Sequence, residues 1–457
     1  MYFLLLIYQV KAMKTILILG AGLSSSSLIR YLLENSTEHN WQVRLVDRDL
    51  SLAEQKIGGH PNGVALSFNA LEASERKPEI ENADLVISML PARFHIDVAE
   101  DCIETKTNLI TPSYISPEMK ALDERAKAAG IVIMNEIGVD PGIDHMSAMK
   151  IIHSVQAKGG EIKSFKSFCG GLVAPESDNN PWNYKFSWNP RNVVLAGQGG
   201  AASFVQNGQY KYIPYNRLFG RLHNMSIDGF GDFVGYANRD SLSYRSTYGL
   251  EKIPTIFRGT LRRPGYCVAW NVFIELGMTD DSYPMTNTEN LTPRSFMNAY
   301  LPYHPTKSVE DKFKLFLRED RMELYERFEW LGMFEDEPFV GLENPSPAKA
   351  LQKILVDKLS LEDGDKDMLV MIHEFEYTLN NKDHKITSHM VNLGEDEVFT
   401  SMSNTVGLPA AICAKMILTG ALKTTGVTLP VQPEIYTPIL EELERYAISF
   451  VETDVIV

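Results

Sequence analysis

The sequence predicts an α/β protein: a doubly wound parallel sheet, a second α/β domain with a mixed sheet, and a small all-helical lobe. Three observations predict it. A buried-type apolar strand, Ile16 to Leu19, runs straight into Gly20-Ala21-Gly22 and a serine-rich helix start. From Lys14 to about Met134, short apolar runs alternate with amphipathic ones, the pattern of βαβ units. Beyond Ile162 the period shifts to two, interrupted from Thr292 to Leu361 by apolar residues at three- and four-residue spacing.

The first twelve residues are expected to be a leader or a start assigned too early. Tyr2 to Val10 is apolar but too short to span a bilayer, and Met13 opens directly on the first strand. Ser24 to Ser27 then offer an N-cap for a helix through Leu33. Gln42 to Val46 reads as a strand, Leu50 to Ile57 as a helix, Val64 to Phe68 and Ala83 to Leu90 as strands. Phe94 to Glu104 reads as a helix, Leu109 to Thr111 as a strand, Pro117 to Ala129 as a helix and Ile131 to Met134 as a strand. In the second domain Ile162 to Phe168 is strand-like. A loop follows from Cys169 to Trp188, then strand-like pieces near Asn192 to Gly197, Gly229 to Gly235 and Ile253 to Leu261. Asp311 to Leu317, Arg321 to Leu331 and Ala348 to Leu359 make the helical lobe. Met368 to Leu379 and Lys385 to Leu393 form a hairpin around Asn380-Asn381-Lys382-Asp383 that rejoins the second sheet. Helices are expected at Pro409 to Leu418 and Ile439 to Tyr446. The domains expected are thus 13–140, 141–285 with 365–457, and 286–364.

A strand, a glycine turn and a helix start make a phosphate cradle, in which backbone N–H groups face an anion. This Rossmann-type motif points to a dinucleotide held by Gly20, Ala21, Gly22, Leu23 and Ser24. The third glycine of the usual fingerprint is Ser25, so a glycine turn without a ligand stays open. Asp47 ends the second strand, where an acid meets the adenosine ribose. It favours NAD over NADP, although Arg48 beside it is able to clamp a 2′-phosphate.

A net charge of −15 argues against nucleic-acid binding and requires a local basic cluster for any anionic substrate. The four cysteines lie far apart with no metal spacing, which predicts reduced thiols, a cytoplasmic protein and no metal. No membrane partner is expected, and a homodimer is.

Four groups of residues could carry chemistry. Asn135 to His145 follows a strand with two glycines, a proline and three acids, and Asp140 is its candidate acid/base. The alternative is a linker whose acids cap the next helix. Tyr114, at the end of another strand, is a candidate hydrogen-bond donor. Gly170-Gly171 offers N–H groups to a carboxylate, and Trp188 could pack on a nicotinamide, while Cys169 reads as either an inert thiol or a proton carrier. Arg239, Arg258, Arg262 and Arg263 suggest a carboxylate clamp, or else a surface salt-bridge network.

SYISP, NEIGVDPGIDH, CGGL with KFSW, NRDS, RGTLR, SNTVGLPAAICAKMIL and YTPILEEL together resemble the glutamate-forming saccharopine dehydrogenases, from about Thr15 to Leu443. The resemblance implies the three-part fold above. It implies conversion of saccharopine, NAD(P)+ and water into glutamate, 2-aminoadipate 6-semialdehyde and NAD(P)H, by hydride transfer from the carbon bearing the secondary amine and hydrolysis of the imine. It places Ala21 to Ser24, Asp47, Arg48, Asp140, Pro141, Gly142, Ile143, Asp144, His145, Met146 and Ser147 at the cofactor. Ser113, Tyr114, Arg239, Thr260, Leu261 and Arg262 would hold the amino-acid substrate, with Cys169 and Trp188 beside the site. The chain departs from the family pattern within Gly171-Leu172-Val173-Ala174-Pro175, Asn180-Pro181-Trp182-Asn183-Tyr184 and Tyr236-Ala237-Asn238-Arg239. A related enzyme acting on a carboxyalkyl polyamine precursor, or a dinucleotide-binding redox sensor without turnover, are the competing readings.

Overall fold

The computed structural model describes residues 13–196, 198, 200–339 and 341–457. The expected leader lies outside the described residues. The chain forms two compact units: one runs to Ile151 and takes in Ser403–Ser449, the other comprises Ile152–Met402 and Phe450–Val457.

In the first unit six strands come first: β1 Lys14–Leu19, β2 Trp41–Asp47, β3 Gly63–Ser67, β4 Leu85–Ser88, β5 Asn108–Ile110 and β6 Val132–Met134. All pair in parallel, in the order β6-β5-β4-β1-β2-β3. Ile16 to Leu19 and Leu85 to Ile87 have no exposed surface, as expected for parallel strands covered on both faces. The order reverses between β1 and β4, the place where such sheets open a crevice beyond their carboxyl ends. The helix expected over 117–129 is two short ones, Pro117–Ala121 and Asp123–Ala129. A helix at Ala73–Glu81, carrying Pro78, escaped the sequence pattern because its residues are mostly charged.

The second unit adds β7 Glu161–Val173, β8 Ala202–Gln206, β9 Gln209–Ile213, β10 Leu222–Ile227, β11 Gly231–Ala237, β12 Thr255–Arg262, β13 Asp367–Leu379 and β14 Lys382–Leu393. β12 and β7 are parallel; the other pairs are antiparallel. The mixed sheet is therefore present. The β13–β14 hairpin rejoins it beside β7, and Asn380 and Asn381 both have positive φ, as a tight two-residue turn requires. The expected loop at Cys169-Gly170-Gly171 is instead the end of a 13-residue strand. A Cβ on Gly170 would stand 2.5 Å from the Leu261 carbonyl, so this glycine permits a close strand approach. The strand expected near Asn192 is a short helix, Pro190–Val194. Among the described residues the lobe holds four α-helices, Pro293–Tyr300, Val309–Leu317, Tyr325–Trp330 and Pro347–Leu359. Phe313, Phe328 and Leu351 share one core with Phe168, Leu261 and Trp270, so the lobe has no separate core.

The helix expected from Pro409 begins earlier, at Ser401, and runs to Thr419. Beyond it, β15 Gly426–Thr428 pairs in parallel with β6, and the helix Pro433–Leu443 follows. Residues 403–449, grouped by the sequence pattern with the second sheet, thus belong with the first. A three-residue strand is too short to show a period. The chain ends in β16 Val451–Ile456, which pairs with β14.

Candidate active site

The first unit presents two constellations beyond the carboxyl ends of its strands. One is the glycine loop. Its helix begins as a tight turn, Leu23–Ser25, and continues as Ser26–Glu34. The expected serine N-cap is absent: Ser25 Oγ donates to the Gly22 carbonyl at 2.8 Å, and Ser27 N donates to Ser403 Oγ at 2.9 Å. Nothing stands within 4 Å of where a Cβ on Gly22 would point, which leaves room for a phosphate against the backbone. The Lys56 ammonium donates to the Gly22 carbonyl (2.7 Å), Ser26 Oγ (2.8 Å) and Ser25 Oγ (3.2 Å). Burial pulls it down to about 8, against the nearby Asp47 charge. A cation and an open glycine turn at one strand end fit a dinucleotide.

Asp47 does not face outward as expected. One carboxylate oxygen accepts from Ala21 N at 2.9 Å and the other from Asp49 N at 3.1 Å. It fastens the glycine loop to β2, which removes the sequence-based reason for preferring NAD. Arg48 beside it is exposed.

The second constellation joins the loops after β5 and β6. Tyr114 Oη donates to Asp140 Oδ1 at 2.8 Å, so these two predicted residues meet. Glu136 ties the loops together. Its N–H donates to the Ser113 carbonyl, Oε1 accepts from Ile115 N at 2.9 Å, and Oε2 lies 2.6 Å from His145 Nε2. Both Glu136 and His145 are buried. Asp144 accepts from Gly142 N and His145 N at the start of the helix Ile143–Ala157, the capping role held open above. A Cβ on Gly142 would lie 2.0 Å from the Gly138 carbonyl, and its φ is +146°, so only glycine fits this turn. The side chains of Pro141, Ile143, Asp144, His145, Met146 and Ser147 are buried. Asp140 and Tyr114 are the more open members.

In the second unit, Cys169 on β7, Thr260 on β12 and Tyr236 on β11 stand in one lateral row of the sheet. The Cys169 thiol is buried, as are the other three cysteines, and none is bridged. The expected four-arginine clamp is dispersed. Arg258 and Arg262 are four residues apart on one strand, about 13 Å at strand spacing, too far to grip one carboxylate together. Arg258 lies 4.1 Å over the Tyr244 ring, and Arg263 donates to the Phe230 carbonyl. Arg239 is exposed on a left-handed backbone position.

Arg262 is different. The residue is 3% exposed, and its guanidinium carbon lies 5.3 to 5.9 Å from the ring centres of Tyr184, Tyr236 and Tyr266. Nη1 donates to the Leu261 carbonyl, while Nε has no hydrogen-bond partner among the described residues. The Leu261 side chain itself is wholly buried. Trp188 packs on the core of this unit. Nearby, the buried Asp367 carboxylate accepts from Ser401 N and Met402 N, and burial pushes it up to about 6.

The sequence pattern missed Lys56, His95, Asp367 and Tyr266, and gave no role to Glu136, Tyr184 or Tyr236. Glu136 stands inside the NEIGVDPGIDH motif, Tyr184 directly before KFSW and Tyr236 three residues before Arg239, signals that could have found them; the others are scattered and carry no local signature. Among the described residues, no cluster of three or more metal-ligating side chains is gathered, and no helix is long and apolar enough to cross a membrane.

A Rossmann-type unit with an open glycine cradle and a polar constellation at the adjoining strand ends defines a dinucleotide-dependent oxidoreductase. The comparisons with known proteins agree. Residues 16–134 match the family model "Saccharopine dehydrogenase NADP binding domain" and residues 138–448 the "Saccharopine dehydrogenase C-terminal domain". The chain belongs to the saccharopine dehydrogenase family. It is 34% identical to the "Saccharopine dehydrogenase [NADP(+), L-glutamate-forming]" of Schizosaccharomyces pombe, over 96% of this chain and 99% of that protein. It is 36% identical to the mitochondrial alpha-aminoadipic semialdehyde synthase of Mus musculus, over 96% of this chain but 47% of that longer protein. The apo saccharopine dehydrogenase (L-Glu forming) structure from Saccharomyces cerevisiae superposes with a TM-score of 0.87 at 32% identity, covering 97% of this chain and 100% of that one. The homospermidine synthase of Legionella pneumophila shares the fold alone, with a TM-score of 0.54 at 10% identity, covering 96% and 91%.

Proposed function

We propose that this chain is an NADP-dependent, glutamate-forming saccharopine dehydrogenase. The observation that carries the reading is Arg262. A guanidinium this deep is costly unless it meets an anion, and its Nε lacks a partner among the described residues. A substrate with several carboxylates, such as saccharopine, supplies one. The names of the relatives support the same substrate and the same cofactor.

Gly20 to Ser24 and the Lys56 charge would hold the cofactor phosphates. With Asp47 turned onto Ala21 N, the exposed Arg48 is the group beside β2 suited to a 2′-phosphate, which supports NADP. The oxidised nicotinamide, when bound, accepts the hydride lost from the carbon bearing the secondary amine. Asp140 takes the amine proton and later moves protons to and from the water that hydrolyses the imine. The Tyr114 hydroxyl, bonded to Asp140 Oδ1, orients that carboxylate. In the first unit Ser113 is a substrate residue; in the second unit Arg239, Thr260 and Arg262 are substrate residues and Cys169 is a further proton carrier. The buried, unbridged thiols suit a reducing compartment such as the cytoplasm. The working form is a homodimer, which light scattering tests.

The experiment is an assay of reduced-nicotinamide formation with saccharopine and either NADP+ or NAD+. Saccharopine-dependent turnover with higher efficiency for NADP+ is expected. No turnover with either cofactor would overturn the proposal.

A further inference from the structure

His95 opens the helix His95–Thr105 and is 4% exposed. Its Nδ1 lies 2.9 Å from Ser88 Oγ, at the end of β4. Its Nε2 lies 2.8 Å from Ser113 Oγ and 2.9 Å from Thr111 Oγ1, both just past β5. Ser88 and Thr111 are buried, whereas Ser113 is half-buried. A neutral imidazole nitrogen carries either one hydrogen or one lone pair. Burial holds this ring neutral at neutral pH, with its pKa down to about 4. Nε2 therefore serves one of its two hydroxyls fully at a time. This holds in both tautomers: in one Nε2 accepts from Thr111 or Ser113, in the other it donates to either. Thr111 cannot turn away, because it is buried and its oxygen also accepts from Ser113 N at 3.3 Å. Ser113, on the open side, can.

We infer that His95 and Thr111 are positioning residues that free the Ser113 hydroxyl for the substrate: as Ser113 turns to an anionic substrate oxygen, Thr111 takes its place at His95 Nε2. The exchange keeps the buried ring nitrogen bonded throughout. Without the Thr111 hydroxyl, the same turn would strand that nitrogen. A stranded buried polar group weakens binding by about tenfold or more. The inference rests on the reading of Ser113 as a substrate residue.

The test is steady-state kinetics on the full chain. Thr111→Val is expected to raise the saccharopine KM about tenfold while leaving kcat and the NADP+ KM within about twofold. Thr111→Ser should restore the parent value. His95→Asn removes the atom at the Nε2 position, so adding Thr111→Val to it should raise KM no further, a non-additivity that a bulk structural defect does not produce. Ser113→Ala distinguishes the two failures. If Ser113→Ala raises the saccharopine KM and Thr111→Val does not, the exchange is overturned and the Ser113 reading stands. If Ser113→Ala has no effect, the Ser113 reading falls and the exchange with it. Equal loss in saccharopine and NADP+ KM, or full additivity with His95→Asn, also overturns the exchange.

Discussion

Glu136→Ala should disrupt the first unit more than a single exposed loop substitution would. Glu136 is 3% exposed, and its carboxylate serves two buried partners, Ile115 N at 2.9 Å and His145 Nε2 at 2.6 Å. Alanine leaves both groups facing a void. One unsatisfied buried amide costs about 1–3 kcal/mol, and a buried imidazole nitrogen left without its carboxylate partner about as much again. Because the two losses overlap, a total of about 4 kcal/mol is expected. In a unit of roughly 200 residues, each kcal/mol lowers the melting midpoint by about 2–4 °C, so the transition should fall by about 8–16 °C. Glu136→Gln keeps the shape and an acceptor for Ile115 N, and should lose only about 1 kcal/mol. Differential scanning calorimetry resolves the two variants, and kinetics should show kcat falling with the alanine variant because Ser113, Tyr114 and Asp140 lose their common brace. A midpoint for Glu136→Ala within about 2 °C of the parent would refute the reasoning.

Asp140→Asn should lower kcat by about 100- to 10,000-fold while leaving NADP+ affinity, measured by fluorescence titration, nearly unchanged. Arg48→Ala should raise the KM for NADP+ by about tenfold or more and leave that for NAD+ alone, since only the former carries the 2′-phosphate. Gly142→Ala should abolish activity, because its Cβ would overlap the Gly138 carbonyl; circular dichroism and an activity assay together check this. His95 gives a pH signature. Its folded-state pKa of about 4 lies below the ordinary 6.5, so the folded state binds fewer protons between those values. Its contribution, about 3 kcal/mol, is present above pH 6.5 and lost as pH falls towards 4. Urea unfolding of His95→Gln should therefore lose less stability than the parent between pH 7 and pH 4.5; parallel profiles would contradict this.

Much of the fold was legible because the physics is local. Ile16 to Leu19 reads as a buried strand, and a hairpin turn was readable from Asn380 to Asp383, although Lys382 and Asp383 already pair in β14 and the turn itself is Asn380-Asn381. The segments that escaped lack a local period. Gly426–Thr428 is three residues long, and Tyr266–Leu276 carries the apolar Val268 and Ile274 on its open side, so neither shows a clear polar face in sequence. Gly170-Gly171 misled because paired glycines usually break strands, whereas here they let β7 pass close to its neighbours. At the site, Asp140 and Tyr114 were readable as polar residues at strand ends, and they do meet. The orientation of Asp47 was not readable, since it depends on Ala21 N and Asp49 N rather than on its neighbours in sequence alone. The tyrosine cage around Arg262 draws on residues from 184 to 266, a convergence that only tertiary structure reveals.

The central claim is that this chain breaks the bond between the secondary amine and the lysine-derived carbon of saccharopine. The most direct measurement uses saccharopine deuterated at that carbon, with NADP+, and follows the label and the products by mass spectrometry. Deuterium on the reduced nicotinamide, with glutamate and 2-aminoadipate 6-semialdehyde as products, is the predicted result. Unlabelled reduced nicotinamide accompanied by lysine and 2-oxoglutarate would contradict it.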